Sequence, residues 1–171
     1  RRNRGVTLVE VMIVLGVMAM LLGIAMSIAA GIQQKKKVNA LIEEIIEIAK
    51  ASNELTQGAS DFGNVDASTI ATGEMISKRY IDGTKLVTPF GGRLILATYG
   101  AGSQLISFWA YGLSRQACLA ITSNDFRTVS TAMNVNWVYD SGGAPFPLSK
   151  AISACQKGNN NYVGMNFSKQ S

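Results

Sequence analysis

Histidine is absent from the 171 residues. Without an imidazole, Ser-His-Asp and Cys-His nucleophile activation and every His-ligated metal site are excluded. Cysteine is scarce as well: there are two, Cys118 and Cys155, with no C-x-x-C spacing, so neither a zinc ribbon nor a dithiol redox motif fits. Charged residues make up only 16%, a fraction too low for intrinsic disorder. The eleven acidic residues show no paired spacing in the C-terminal two thirds that would suit general acid–base work. We therefore expect no catalytic residue, no metal and no cofactor. No internal repeat or low-complexity tract is present, and the length allows one domain.

What the chain has instead is apolar surface: 47% of residues are hydrophobic and the mean hydropathy is +0.17. The excess is concentrated. Between Val6 and Ile32 the exceptions are Thr7, Glu10, Gly16, Gly23, Ser27 and Gly31, and Glu10 alone is charged. As a helix this run reaches about 40 Å, enough to cross a bilayer core. Arg1, Arg2 and Arg4 precede it and Lys35-Lys36-Lys37 follow it, so the charge count at its two ends is nearly balanced. The net charge of +5 is largely that leader, and it does not describe a nucleic-acid surface.

Beyond Ile32 the helical period continues. Val38, Leu41, Ile45, Ile48, Ser52 and Leu55 recur at spacings of three and four, widened by Ile42, Ile46 and Ala49. Gln34, Lys36, Glu43, Glu44, Glu47, Lys50 and Glu54 are expected on the opposite, solvated side. No proline interrupts, and Gly58 offers a C-terminal cap. The pattern predicts one helix of roughly 50 residues, apolar all round in its first half and amphipathic in its second, where it packs on a small domain.

Residues 58–171 read as that domain. Ser68 to Tyr80 suggests a short helix weakened by Gly73. Pro89-Phe90-Gly91-Gly92 and Gly100-Ala101-Gly102 are turns around strands at Arg93 to Tyr99 and Gln104 to Tyr111. Ser114 to Ser123 reads as a helix capped by Ser114. Asn134 to Tyr139 reads as a strand, Ser141 to Pro145 as a break, Pro147 to Gln156 as a helix and Tyr162 to Phe167 as a last strand. Three to five antiparallel strands with a long N-terminal helix and short helices make an α+β domain. The alternating Trp109, Tyr111, Trp137 and Tyr139 are expected in the core and on the sheet surface, since no basic cluster accompanies them for base stacking. The cysteines allow one disulfide if the domain is exported, or two buried thiols if it is cytosolic. A disulfide closing a loop of this length stabilises by about 4 kcal/mol on the chain-entropy estimate.

The run Arg4-Gly5-Val6-Thr7-Leu8-Val9-Glu10-Val11-Met12-Ile13-Val14-Leu15-Gly16 closely resembles the type IV pilin signature, in which basic leader, glycine, apolar run and lone glutamate occur in fixed register. The mature first residue would be Val6 rather than phenylalanine, Ser27 stands where the other branch has a helix-breaking proline, and Pro89-Phe90-Gly91-Gly92 precedes the Cys118 helix. In these features the chain is similar to the type IVb branch. The resemblance implies a pilin-like fold, cleavage by a prepilin peptidase between Gly5 and Val6, methylation of the Val6 amine, and an assembly role for Glu10. It also implies an exported domain, and so a Cys118–Cys155 disulfide. The expected segments are a leader over 1–5, an apolar membrane and filament-core helix over 6–32, its amphipathic continuation over 33–57, and a globular domain over 58–171.

The function so implied is that of a structural subunit, held in the bacterial inner membrane and then polymerised with its own copies by the pilus assembly machinery into an extracellular filament. Adhesion, aggregation, motility and conjugative mating are the family's roles. The rival readings are a minor pilin or type II secretion pseudopilin and, more distantly, an anchored periplasmic enzyme. No nucleic-acid partner is expected.

Overall fold

The computed structural model describes residues 7–63, 65–98, 102–140 and 145–169. The chain divides into two compact units, residues up to Lys36 and residues from Lys37 onward. Helix α1 (Leu8–Leu55) has residues in both. In the first unit its side chains from Thr7 to Gln33 are all exposed, as an apolar run with no core of its own must be.

The second unit is an antiparallel sheet and three further helices around the amphipathic part of α1. The elements are α2 (Ala67–Thr72), a 3-10 turn (Lys78–Tyr80), β1 (Ile81–Asp82), β2 (Lys85–Val87), β3 (Arg93–Thr98), β4 (Leu105–Leu113), α3 (Arg115–Thr122), β5 (Ala132–Val135), β6 (Val138–Asp140), α4 (Leu148–Ala154) and β7 (Asn161–Ser168). The strand order is β1-β2-β3-β4-β7-β5-β6, so the last strand lies between β4 and β5. Alternation sorts the sheet into two faces. Leu94 and Leu96 of β3, Ile106, Phe108 and Ala110 of β4, Val163, Met165 and Phe167 of β7, and Met133 and Val135 of β5 all turn inward. They join Leu41, Ile45 and Ile48 of α1 in one core.

The described sheet has seven strands, not three to five. The additional short pair, β1 and β2, meets across Gly83-Thr84, with Gly83 at φ +62°. Asn134 to Tyr139 is not one strand but the β5–β6 hairpin, with Val135 opposite Val138. Its two loop residues, Asn136 and Trp137, have φ of 46° and 72°, as the primed two-residue turns that match strand twist require. Alternation of Val135, Trp137 and Tyr139 hid this turn, because Trp rarely takes a left-handed backbone. The expected helix over Ser68 to Tyr80 stops at Thr72: Gly73 ends it, and Asp66 caps its start by accepting from the Thr69 amide at 2.8 Å. That contact holds the Asp66 carboxyl below its usual range.

Two expectations about α1 are also corrected. Glu44 is fully buried rather than on the solvated side, and Leu55 is 39% exposed rather than in the stripe. Glu44 lies three residues after Leu41 and four before Ile48, so the helix angle puts it on the inward face whatever its charge. At the helix end Lys169 reaches back from beyond β7. Its Nζ donates to the carbonyl of Thr56 at 2.6 Å and of Asp61 at 3.3 Å, a cation on the negative end of the helix dipole.

Candidate functional site

Gly5 and Val6, the expected cleavage and methylation positions, lie outside the described residues. The geometry becomes visible one residue later. Thr7 and Glu10 form a capping box at the start of α1. The Thr7 backbone amide donates to Glu10 Oε2 at 2.8 Å and its hydroxyl to the same oxygen at 3.0 Å, while the Glu10 amide donates to the Thr7 hydroxyl at 3.3 Å. The carboxylate is thus placed at the positive end of the helix, with two donors partly replacing the water that an apolar medium would remove.

From Leu8 through Ile32 the helix offers apolar side chains on all sides, and it is long and apolar enough to cross a membrane. Nothing lies within 4 Å of a Cβ built on Gly16, Gly23 or Gly31. These are the places where another helix can approach most closely. Ser27, in the position where the other branch has proline, returns its hydroxyl to the Ile24 carbonyl at 3.0 Å and leaves the helix unbroken.

In the second unit Cys118 of α3 and Cys155, at the end of α4, are joined as a disulfide with their Cα atoms 5.9 Å apart. Both are buried. Ser114 caps α3 by accepting from the Ala117 amide at 3.1 Å. Beside the disulfide, Asn161 acts as a polar hub. Its amide nitrogen donates to the Leu113 and Gln156 carbonyls, and its Oδ1 accepts from Asn136 Nδ2 and the Gln156 amide. The last of three consecutive asparagines, at the first position of β7, carried no sequence signal of this role.

The outward face of the sheet carries the aromatics. Trp109 lies over Gly164 of the neighbouring strand, where a Cβ would come within 2.2 Å of Cδ1 of its ring. Tyr111 stacks on Tyr162 at 5.3 Å, and Trp137 meets Tyr162 edge-on at 5.7 Å. Together with Asn134 they line a cleft of about 180 Å³. Trp137 is 86% exposed and Tyr139 is exposed beyond it. The sequence pattern named four of these aromatics but missed Tyr162, whose place depends on β7 returning to the middle of the sheet. Among the described residues no group of three His, Cys, Asp or Glu side chains is arranged to hold a metal.

Two family models match the chain. Residues 1–26 match the prokaryotic N-terminal methylation motif, and residues 31–167 match Bundlin. A search of curated proteins finds no match. Among solved structures, the fold is similar to the type IVb pilin from Salmonella typhi, with a TM-score of 0.63 and 14% identity, covering 76% of this chain and 99% of that one. It is also similar to TcpA, a type IV pilin from the Vibrio cholerae El Tor biotype, with a TM-score of 0.52 and 11% identity over 78% and 99%. With a family model spanning most of its length and a fold to match, the chain belongs to the Bundlin family and is a type IV pilin of the b branch, a structural subunit of a pilus.

Proposed function

We propose that the subunit waits in the bacterial inner membrane on its apolar helix, is cut by a prepilin peptidase between Gly5 and Val6 and methylated on the Val6 amine, and then polymerises with its own copies into an extracellular filament. The segments follow that use: a leader over 1–5, a membrane and filament-core helix over 6–32, its amphipathic extension over 33–57 and a globular domain over 58–171. The observation that carries the reading is the lone carboxylate of Glu10 in the otherwise uncharged run of α1 up to Ile32, held at its N-terminal end by Thr7.

The chemistry favours pairing between copies. A carboxylate at membrane depth is costly and demands a partner. The amine freed at Val6 lies four residues before Glu10 in the sequence, the spacing of one helical turn. In a filament of parallel helices one subunit's amine meets the next subunit's Glu10, neutralising both and defining their axial offset. Such a buried pair contributes register more than stability. Identical open-ended contacts generate a helical filament.

The test is Glu10→Ala. Sheared surface filaments should be lost or severely reduced while membrane levels of the subunit and its disulfide stay normal; unchanged filament yield refutes the register role. N-terminal sequencing of native filaments should begin at Val6, and any other first residue refutes the cleavage position.

A further inference from the structure

The most costly feature of the second unit is Glu44. Its side chain is fully buried, and neither carboxyl oxygen has a hydrogen-bond partner. The segment Ser77–Tyr80 crosses α1 at this level and is fastened to it at three points. The Tyr80 hydroxyl donates to the Ala40 carbonyl at 2.9 Å, one turn before Glu44. Arg79 Nη2 meets Glu43 Oε2 at 3.1 Å. The Ser77 amide donates to Glu47 Oε2 at 3.3 Å, almost one turn after Glu44. The strap therefore brackets a carboxyl to which it gives no hydrogen bond.

We propose that residues 77–80 form a proton-operated latch: protonated Glu44 keeps the strap closed on α1, and loss of that proton opens it, with Arg79 leaving Glu43 to face the new carboxylate. A buried unpaired carboxylate is far more costly than a buried neutral acid. The closed strap cannot relieve it, because its cation is turned outward to Glu43. That bridge is exposed on both sides, 55% and 63%, and such pairs hold weakly; the other contact of the guanidinium, over the Tyr80 ring at 4.6 Å, is within the strap itself, so Arg79 can leave Glu43 without leaving the strap. Opening admits water and brings the guanidinium to the anion.

Among the described residues, the charges that act on Glu44 are on these two elements. Burial pushes Glu44 up to about 9, Glu47 pushes in the same direction, and Arg79 opposes them. Tyr80, itself raised by burial, feels Glu44 from the strap side. Lys78 is held away by Glu74 at 3.2 Å. The latch is thus closed at neutral pH and opens as the pH rises towards 9. It operates whether or not Glu10 has its assembly role.

Lys78 and Arg79 make the strap a trypsin target, which gives the experiment. Cleavage of the full detergent-solubilised chain after Lys78 and Arg79 is timed from pH 7.0 to 9.5, with each rate normalised to a short peptide substrate at the same pH. The native chain should be cut at least tenfold faster at pH 9.5 than at 7.0, and Glu44→Gln should show no such rise. An equal rise in Glu44→Gln overturns the latch, and so does a parallel rise in cutting after Arg93 within β3, which reports general unfolding. Should Glu44→Gln fail to fold, Glu47→Gln and Arg79→Met decide. The first lowers the pH of opening and the second raises it, with Lys78 still available for cutting; shifts in the same direction, or none, overturn the proposal.

Discussion

Replacing Glu44 by methionine should stabilise the protein, increasingly so as the pH rises. Methionine keeps the length of the side chain and removes both oxygens that lack partners. The ordinary value of a glutamate is near 4.5, and burial raises Glu44 to about 9. Between those values the unfolded chain is ionised at this position and the folded chain is not. The folded state therefore binds more protons, and stability falls with rising pH. The penalty is absent below pH 4.5, grows by about 1.4 kcal/mol per pH unit above it, and levels off past pH 9. At pH 7 it reaches up to roughly 3 kcal/mol, a large share of the 5–15 kcal/mol that holds a typical domain together.

Urea denaturation of the detergent-solubilised chain, followed by tryptophan fluorescence at pH 5, 6, 7 and 8, measures the effect. The native chain should lose stability steadily relative to Glu44→Met over that range, with the two curves closest at pH 5. A pH-independent advantage of about 1–3 kcal/mol for methionine comes in addition, because a neutral carboxyl buried without partners is also destabilising. The diagnostic is the divergence and not the offset: parallel curves from pH 5 to 8 would show that Glu44 is hydrated or paired in the folded protein and would refute the reasoning.

Three further outcomes are expected. Replacing Cys118 and Cys155 together by alanine should cost about 4 kcal/mol, the chain-entropy value for a 37-residue separation, read as a lower urea midpoint that reductant reproduces in the native chain. Gly164→Ala should destabilise by about 1–3 kcal/mol through overpacking against Trp109, and should cost far less in a chain already carrying Trp109→Ala, a difference that denaturation of both single variants and the double variant measures. Trp137→Gly should leave stability unchanged or raise it by about 1 kcal/mol in thermal melts, because the ring is 86% exposed and its left-handed backbone is strained; a large loss would mean the edge contact with Tyr162 outweighs the strain.

The sequence was most legible where period and chemistry agree. The long helix, the Ser114 cap, the β3 and β4 strands and the last strand all combine a hydrophobic repeat with a capping or turn residue. Thr7 and Glu10 stand at capping-box spacing, but the apolar run drew attention to the glutamate alone. The β5–β6 turn was hidden because Asn-Trp is a poor left-handed pair that tertiary contacts enforce. The Trp137 amide donates to both Asn134 Oδ1 and the Tyr162 hydroxyl, and Tyr162 comes from a strand 25 residues on. The strand count was short because β1 and β2 are too brief to alternate; β1 is held by pairing with β2, and β2 by pairing with β3. The order β4-β7-β5 is set by long-range pairing and by the Asn161 hub, which no local window contains.

The two notable glutamates of α1 show where sequence reasoning divides. Both interrupt an apolar pattern, and both occupy positions where a leucine would satisfy the period. Glu10 stood out because its surroundings in sequence are uniformly apolar. Glu44 did not, because Glu43 and Glu47 flank it and suggested a solvated face. The helix angle distinguishes them: Glu43 and Glu47 reach the surface and bond the strap, while Glu44 between them points into the core. A carboxyl in the buried register is thermodynamically the same problem whether lipid or protein surrounds it, since either medium leaves its charged form without water. Glu10 has Thr7 as a partial answer within its own chain, and a neighbour's amine would complete it. Glu44 has no hydrogen-bond partner while the strap is closed, so its proton is the remaining variable that decides whether the closed structure is tolerable. Charged residues on an amphipathic helix are therefore best sorted by angle before they are assigned to solvent.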